Sequence, residues 1–269
     1  MTHPNTPPAT AYPDGVSVRR AARSGVLRAP TSGMAQGFEQ GNLVILHADD
    51  ADDFLRFCVA NPKAAPILDV SEPGSFHLPR LGADLDIRSD IPRYRVFRDG
   101  VLAEQPTDIA ALWQDDFVTF VLGCSFTFES ALVRAGIPVR HMDNGTNVPM
   151  YITNVDTIAS GKFGGPMVMS MRPFTPRDAI TATVLSSQLS QAHGAPLHIG
   201  APEAIGIADI HKPDFGDPPD IRDGEIPVFW ACGVTPQAAI MRARLRLAIT
   251  HEPGHMLVTD LNCDAGRQF

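Results

Sequence analysis

Residues 251–255, HEPGH, place two histidines and a glutamate at the spacing of a helical zinc site. In such a site both imidazoles bind zinc from one helix face, and the glutamate acts as general base. Pro253 and Gly254 oppose this interpretation, because proline costs about 3 kcal/mol and glycine about 1 kcal/mol in a helix interior relative to alanine. We therefore predict a turn between two strands here, and no metal site.

The histidines, including those of HEPGH, are candidates for proton transfer, because imidazole titrates near neutral pH. We predict that His255 and His198 act as catalytic acid and base, with Asp260 orienting an imidazole, and that His251 contacts the substrate. His193 precedes His198 by five residues, so the two do not share a helix face. The alternative for each histidine is an ordinary hydrogen-bonded place in the core or in a loop.

Two cysteines follow predicted strands and precede predicted helices. Cys124 and Ser125 come after FVTFVLG, and Cys232 comes after IPVFWA. A helix N-terminus lowers the pKa of a nearby thiol, so Cys124 and Ser125 are predicted catalytic residues and candidate nucleophiles, and Cys232 a substrate contact. Two thiols on opposite faces of a carbon are also what a cofactor-independent amino-acid racemase uses. The alternatives are small buried thiols and a helix-start role for Ser125.

Carboxylate-binding residues are predicted near the same kind of junction. Arg172 can bind a carboxylate with two hydrogen bonds, and Thr175 and Thr235 stand before prolines at predicted helix starts, which attract anions. A polar, glycine-containing loop adds Asn147 and Tyr151 as substrate-binding candidates. A surface ion pair for Arg172 and a solvated turn for the loop are the alternatives.

The composition narrows the class of protein. The formal charge of -8 without a basic cluster disfavours binding to nucleic acid or to anionic membranes. No apolar run approaches the roughly 20 residues of a membrane span. The four cysteines form no C-x-x-C pair, which favours reduced thiols in a cytoplasmic protein. A small-molecule carboxylate is the expected partner, no cofactor is expected, and a homodimer is left open.

Strands alternate with helices along most of the chain, as at 117–124, 165–174 and 226–234, each strand being followed by a helical segment. This order predicts an α/β fold with a mixed, partly parallel sheet, flanking helices and a smaller α+β lobe. We expect a disordered tail at 1–15, which lacks the apolar segment of a secretory signal, and one catalytic unit at 16–269. If that unit has two lobes, the smaller lies within about 75–150.

Several unusual strings occur in one order: GCSFTFE, NVPMY, HGAPLHIG, EAIGIADI, FWACGVTPQ and THEPGHMLVTD. In these strings, from about Val18 to about Asn262, the chain resembles a bacterial hydro-lyase family grouped with D-glutamate cyclase. The resemblance implies a carbon–oxygen lyase of D-amino acid metabolism that acts on a small amino or hydroxy acid. D-Glutamate, cyclised to 5-oxo-D-proline with loss of water, is the substrate it favours. A two-cysteine racemase, a dehydratase of a small hydroxy acid and a non-catalytic small-acid binding protein are the alternatives.

Overall fold

The computed structural model describes residues 11–263, which form two β-sheets with helices packed on their faces. The helices are α1 (Gly15–Arg23), α2 (Ala48–Ala60), α3 (Ser125–Arg134), α4 (Arg140–Asn144), α5 (Pro176–Ser187) and α6 (Val234–Ala243). The strands are β1 (Phe38–His47), β2 (Ile67–Val70), β3 (Tyr94–Arg98), β4 (Val101–Glu104), β5 (Phe117–Gly123), β6 (Met150–Asp156), β7 (Pro166–Phe174), β8 (His198–Ile199), β9 (Ile226–Ala231), β10 (Ala248–His251) and β11 (Leu257–Asn262).

Strand pairing divides the described residues between a larger and a smaller sheet. The larger has the order β2-β5-β1-β10-β3-β4, with β11 also paired to β1. The smaller has the order β6-β7-β9-β8. The strands of the smaller sheet therefore come from residues 150–231, between β5 and β10 of the larger one. The smaller lobe proposed within about 75–150 stays a prediction, and most of the tail expected at 1–15 lies outside the described residues.

The expected α/β class is confirmed, but the expectation of a partly parallel sheet was wrong. Every strand pair in the described residues is antiparallel. The β1-α2-β2 segment shows why the order of elements misleads. β1 and β2 point the same way, but β5 lies between them and pairs with both in the opposite direction. Because β5, which comes later in the chain, lies between β1 and β2, these two strands do not pair with each other, and both of their pairings with β5 are antiparallel.

Both faces of the central strands are covered, which explains their nearly continuous apolar sequences. On one face of the larger sheet, Phe54 and Phe57 of α2 pack with Phe120 of β5. In the smaller sheet, Trp230 of β9 stacks on Phe128 of α3 at 5.1 Å between ring centroids. The indole N–H donates to Ser186 Oγ of α5 at 3.1 Å. Helix α3 is thereby anchored to the smaller sheet, although it follows a strand of the larger one.

The predicted helix starts are correct at α5 and wrong at α6. Thr175 caps α5, since its hydroxyl accepts a hydrogen bond from the backbone N–H of Asp178 at 3.2 Å. Helix α6 begins earlier than expected, with Gly233 as its N-cap residue. Thr235 lies inside this helix and is buried. Its hydroxyl instead bonds the backbone N–H and carbonyl of Val168 at 3.0 and 3.1 Å, which joins α6 to β7.

Two predicted turns are confirmed. Asp99 and Gly100, both with positive φ, connect β3 to β4 as a tight hairpin. The HEPGH stretch begins at the last residue of β10 and continues as a turn before β11. Its two histidines therefore do not lie on one helix face.

Candidate active site

The ends of β5 and β9 meet at a small chamber between the two sheets, lined by both apolar and polar residues. Its polar and thiol-bearing lining residues are Asn42, Cys124, Ser125, Asn147, His193, Cys232, Gln237 and His251. The chamber has a volume of about 50 Å³ and adjoins a cleft of about 510 Å³. The two cavities share the lining residues Phe126, Asn147, Pro253 and Gly254. The chamber alone holds little more than water, so a larger ligand must extend into the cleft.

Cys124 lies where β5 becomes α3. It is the N-cap residue of α3, and no side chain caps the helix. Burial raises the pKa of the Cys124 thiol to about 12, although the backbone N–H of Phe126 favours the thiolate. At neutral pH this thiol is protonated. It can donate a proton there, whereas the nucleophilic role would require deprotonation first.

Cys232 occupies the equivalent position after β9. The next residue, Gly233, is the N-cap of α6, and again no side chain caps the helix. Burial raises the pKa of the Cys232 thiol, and the backbone N–H of Val234 and the hydroxyl of Ser170 oppose that shift. The sulfur also lies 3.5 Å from Met150 Sδ. Two uncapped helix N-termini and two buried thiols thus face one chamber.

Arg172 lies behind the chamber and holds two serine hydroxyls in place. Its guanidinium donates from Nη2 to Ser125 Oγ at 3.1 Å and from Nη1 to Ser170 Oγ at 2.8 Å. The remaining bonds go from Nε and Nη2 to Glu129 Oε1, the first of them at 2.9 Å. These bonds use four of the five N–H donors and the side chain is buried, so binding a substrate carboxylate with two hydrogen bonds, as predicted from sequence, would require displacing a protein partner of Arg172. The guanidinium leaves the Ser125 proton free to point into the chamber.

The carboxylate of Glu129 is ionised despite its burial. Burial alone would raise its pKa, but Arg172 and His141 outweigh burial and lower that pKa to about 2. His141 Nε2 lies 3.3 Å from Glu129 Oε1. The positive charge behind the chamber is therefore neutralised within the protein.

His193 is the histidine whose free nitrogen is available in the chamber. Its side chain is 1% exposed, and Nδ1 lies 2.7 Å from the carbonyl oxygen of Lys63. A carbonyl only accepts, so Nδ1 carries the proton and Nε2 has a free lone pair. Nε2 is buried and has no hydrogen-bond partner. Burial lowers the pKa of His193 to about 4, which keeps the ring neutral at physiological pH.

His251 also lines the chamber but is held by the protein. The backbone N–H and the backbone carbonyl oxygen of Leu43 lie 3.1 and 3.4 Å from its Nδ1. The side-chain amide of Gln237 lies 3.3 Å from Nε2. Burial lowers the pKa of His251 to about 4.

The other predicted histidines lie outside the chamber lining. His255 has its two ring nitrogens 3.2 Å from the carbonyl oxygens of Pro253 and Arg28, and burial lowers its pKa. His198 lies on β8, the edge strand of the smaller sheet, with Nε2 2.9 Å from the carbonyl oxygen of Ala201. Asp260 does not orient His255; its carboxylate pairs with Arg19 at 2.9 Å.

The predicted carboxylate-binding residues are distributed more widely than expected. Asn147 lines both the chamber and the cleft. Thr175 is exposed and outside the chamber, because β7 and β9 are antiparallel and their carboxyl ends lie at opposite edges of the sheet. The Thr235 hydroxyl forms hydrogen bonds with the backbone of Val168. Tyr151 is buried, and its hydroxyl donates to the carbonyl of Ile210 at 2.5 Å.

Sequence reasoning missed several lining or supporting residues. Asn42 interrupts the apolar run of β1, and its amide donates to the carbonyl of Gly123 at 2.8 Å. Gln237 is buried in the first turns of α6. A polar residue inside an apolar strand was the available signal for Asn42. Glu129 and Ser170 gave no comparable signal, since each lies within an ordinary helix or strand pattern.

The glutamate of the H-E-x-x-H stretch contacts residues that are not part of the chamber lining. Glu252 Oε2 accepts a hydrogen bond from Gln105 at 3.3 Å and lies 3.6 Å from Arg93 Nε. Within residues 11–263, no group of three or more His, Cys, Asp or Glu side chains is placed to hold a metal ion. Over the same range, no helix combines the length and apolar character needed to cross a membrane.

A family model described as D-glutamate cyclase matches residues 118–260, which include the thiols, His193 and the HEPGH turn. The chain belongs to the D-glutamate cyclase family. "Putative hydro-lyase Bpet2233" of Bordetella petrii is 57% identical over 97% of both chains. "Putative hydro-lyase BRADO2538" of Bradyrhizobium sp. is 59% identical over 86% of this chain and 85% of its own. Among solved structures, a nitrogen repressor-like protein of Methanococcus jannaschii aligns with a TM-score of 0.38 and 10% identity, over 87% of this chain and 90% of its own.

Proposed function

We propose that this protein is a hydro-lyase that cyclises D-glutamate to 5-oxo-D-proline with loss of water. The observation that carries the proposal is that α3 and α6 both begin at the chamber without a side-chain cap. Backbone N–H groups and the positive end of the helix dipole attract carboxylates to a helix N-terminus. Two such termini match the two carboxylates of glutamate, and membership of the D-glutamate cyclase family supports the same substrate.

The reaction has a definite demand for proton donors and acceptors. The α-nitrogen forms a bond to the γ-carboxyl carbon, and one carbon–oxygen bond of that carboxyl group breaks. Two protons leave the ammonium nitrogen and two reach the departing oxygen, which leaves as water. The chamber supplies protonated thiols at Cys124 and Cys232 for the donor role. Because burial raises their pKa values, both thiols are protonated at neutral pH and are not present as nucleophilic thiolates.

Ser125 is assigned to the oxygen that becomes negatively charged when the nitrogen attacks. Its oxygen already accepts a bond from Arg172, so its own proton can be donated to that oxyanion. The N-terminal N–H groups of α3 lie beside it and add further donors. Preorganised donors of this kind contribute roughly 10²- to 10³-fold in rate each.

The test is to incubate chelator-treated protein with D-glutamate and, separately, with L-glutamate, and to follow 5-oxoproline by chromatography. We expect product from the D form. Ser125→Ala should lower kcat about 10²-fold. Ser187→Ala is the matched control, because Ser187 is exposed at the end of α5, and it should be unchanged. No product from either enantiomer, with divalent metals added back, would reject the proposal.

A second candidate function is racemisation of a small amino acid. It is favoured by one observation, that both thiols line the same chamber. A racemase takes the Cα proton with one thiolate and returns a proton from the other thiol. In deuterated water it therefore exchanges the Cα hydrogen, whereas cyclisation leaves that hydrogen in place. Loss of exchange in both Cys124→Ala and Cys232→Ala would favour racemisation, and cyclisation without exchange would exclude it.

A further inference from the structure

We propose that His193 is the catalytic base that removes a proton from the substrate ammonium group. This inference rests on the proposed function and assigns one residue within it. His193 lines the chamber, and its Nε2 is buried and has no partner, while Nδ1 is fixed on the Lys63 carbonyl. A buried nitrogen without a partner normally costs stability, so its position needs an explanation. A ligand that donates a hydrogen bond to it supplies one.

The backbone around His193 supports a positioning constraint. His193 adopts a left-handed conformation with φ of 74°, which is uncommon for a residue other than glycine. The residue ends a short 3-10 turn at residues 190–192. Together with the Lys63 bond, this conformation fixes the position of the ring in the chamber lining. Strain at such a position is often associated with function.

In this proposal His193 carries the first of the two protons that leave the substrate nitrogen. Nε2 takes one proton from the ammonium group, and the neutral amine then attacks the γ-carboxyl carbon. The imidazolium returns its proton to the departing oxygen, and a thiol of the chamber, Cys124 or Cys232, gives that oxygen its second proton, so that it leaves as water. The resulting thiolate takes the remaining extra proton from the lactam nitrogen, which restores the thiol. Burial disfavours the imidazolium, but the substrate brings two carboxylates that favour it. Substrate binding therefore raises the basicity of His193 where it is needed.

His193→Asn is the informative variant. The asparagine amide can donate to the Lys63 carbonyl in place of Nδ1, and asparagine tolerates the left-handed conformation. The variant keeps the structural bond and removes only the basic nitrogen. We expect kcat for D-glutamate to fall by about 10²- to 10⁴-fold, with the Kd for glutarate, a dicarboxylate that lacks the amine, changed less than about threefold. His77→Asn is the matched control, because His77 Nδ1 lies 3.0 Å from the Leu85 carbonyl and the ring is outside the chamber lining.

A spectroscopic measurement separates this inference from the cyclase proposal. In ¹⁵N spectra of histidine-labelled protein, His193 should be a neutral ring with the proton on Nδ1, and glutarate should raise its protonation midpoint. This result would support His193 even if D-glutamate gave no product. Wild-type kcat in His193→Asn, or an Nε2-protonated ring indifferent to glutarate, would overturn the assignment.

Discussion

The guanidinium of Arg172 and the carboxylate of Glu129 form an ion pair in which both side chains are almost fully buried, with 1% and 2% exposure. The same guanidinium bonds Ser125 and Ser170, which stand beside the two thiols of the chamber. The pair therefore connects the stability of the fold to the orientation of the donors in the site. Removing one partner would leave the other as an isolated buried charge.

Glu129→Gln should destabilise the protein by about 3–5 kcal/mol, because Arg172 would keep its charge without a carboxylate. Urea unfolding measures this change directly. Glu104→Gln is the matched control, since Glu104 pairs with Arg98 at 3.3 Å with both side chains 48% exposed. That exposed pair should contribute less than about 1 kcal/mol. Equal losses in the two variants would show that burial of the Arg172 pair does not matter.

Acid should weaken the fold in two successive pH windows. His193 and His251 have folded-state pKa values lowered to about 4 from 6.5, so between these values the unfolded chain binds more protons than the folded chain. Stability therefore falls as pH drops from 6.5 to 4, by up to about 1.4 kcal/mol per pH unit for each histidine. Glu129, with its pKa lowered from 4.5 to about 2, adds a loss below pH 4.5.

His251→Asn tests the first window. The asparagine oxygen can accept from the Leu43 N–H in place of Nδ1, so the variant keeps that bond and removes the titrating ring. The free energy of unfolding, measured by urea at pH 7.5 and pH 5, should then depend less on pH than in the wild type. An unchanged dependence would mean that His251 titrates alike in the folded and unfolded states.

The sequence predicted the strand-to-helix junctions at Cys124 and Cys232 because apolar runs and helix-start residues are local signals. It did not predict which junctions meet. Thr175 follows a strand by the same local pattern, yet antiparallel pairing of β7 with β9 places it at the other edge of the sheet. Strand direction depends on tertiary pairing, which local periodicity does not report. The sequence therefore predicted individual junction residues of the site but not how they are arranged in space.

The two histidines of HGAPLHIG illustrate the same limit at the level of side chains. Sequence reasoning favoured His198 for proton transfer, and the structure places His198 on an edge strand and His193 in the chamber. His193 is held in place by its contact with the carbonyl oxygen of Lys63. That contact joins positions 130 residues apart in the chain, so no local pattern contains it.

Gly233→Ala should obstruct the chamber. A Cβ at this position would lie 2.4 Å from the Asn42 amide nitrogen, closer than any normal contact. We expect weaker glutarate binding and a loss of stability of about 1–3 kcal/mol from overpacking. Asn42→Ala removes the obstructing atoms, so the double variant should be more stable than the sum of the two single changes predicts. Strict additivity in urea unfolding would show that the two residues do not interact.

Glu252, in the HEPGH turn, should not be needed for catalysis. In a helical zinc site the glutamate is the general base, and its loss would lower kcat by roughly 10²- to 10⁴-fold. Here Glu252 contacts Arg93 and Gln105 away from the chamber lining, and the neighbouring histidines are separated by a turn rather than a helix face. Glu252→Ala should therefore keep kcat for D-glutamate within about twofold of the wild type, and zinc measured by elemental analysis should be the same in both proteins. A large loss of kcat together with loss of a bound stoichiometric zinc would mean that this segment rearranges into a metal site.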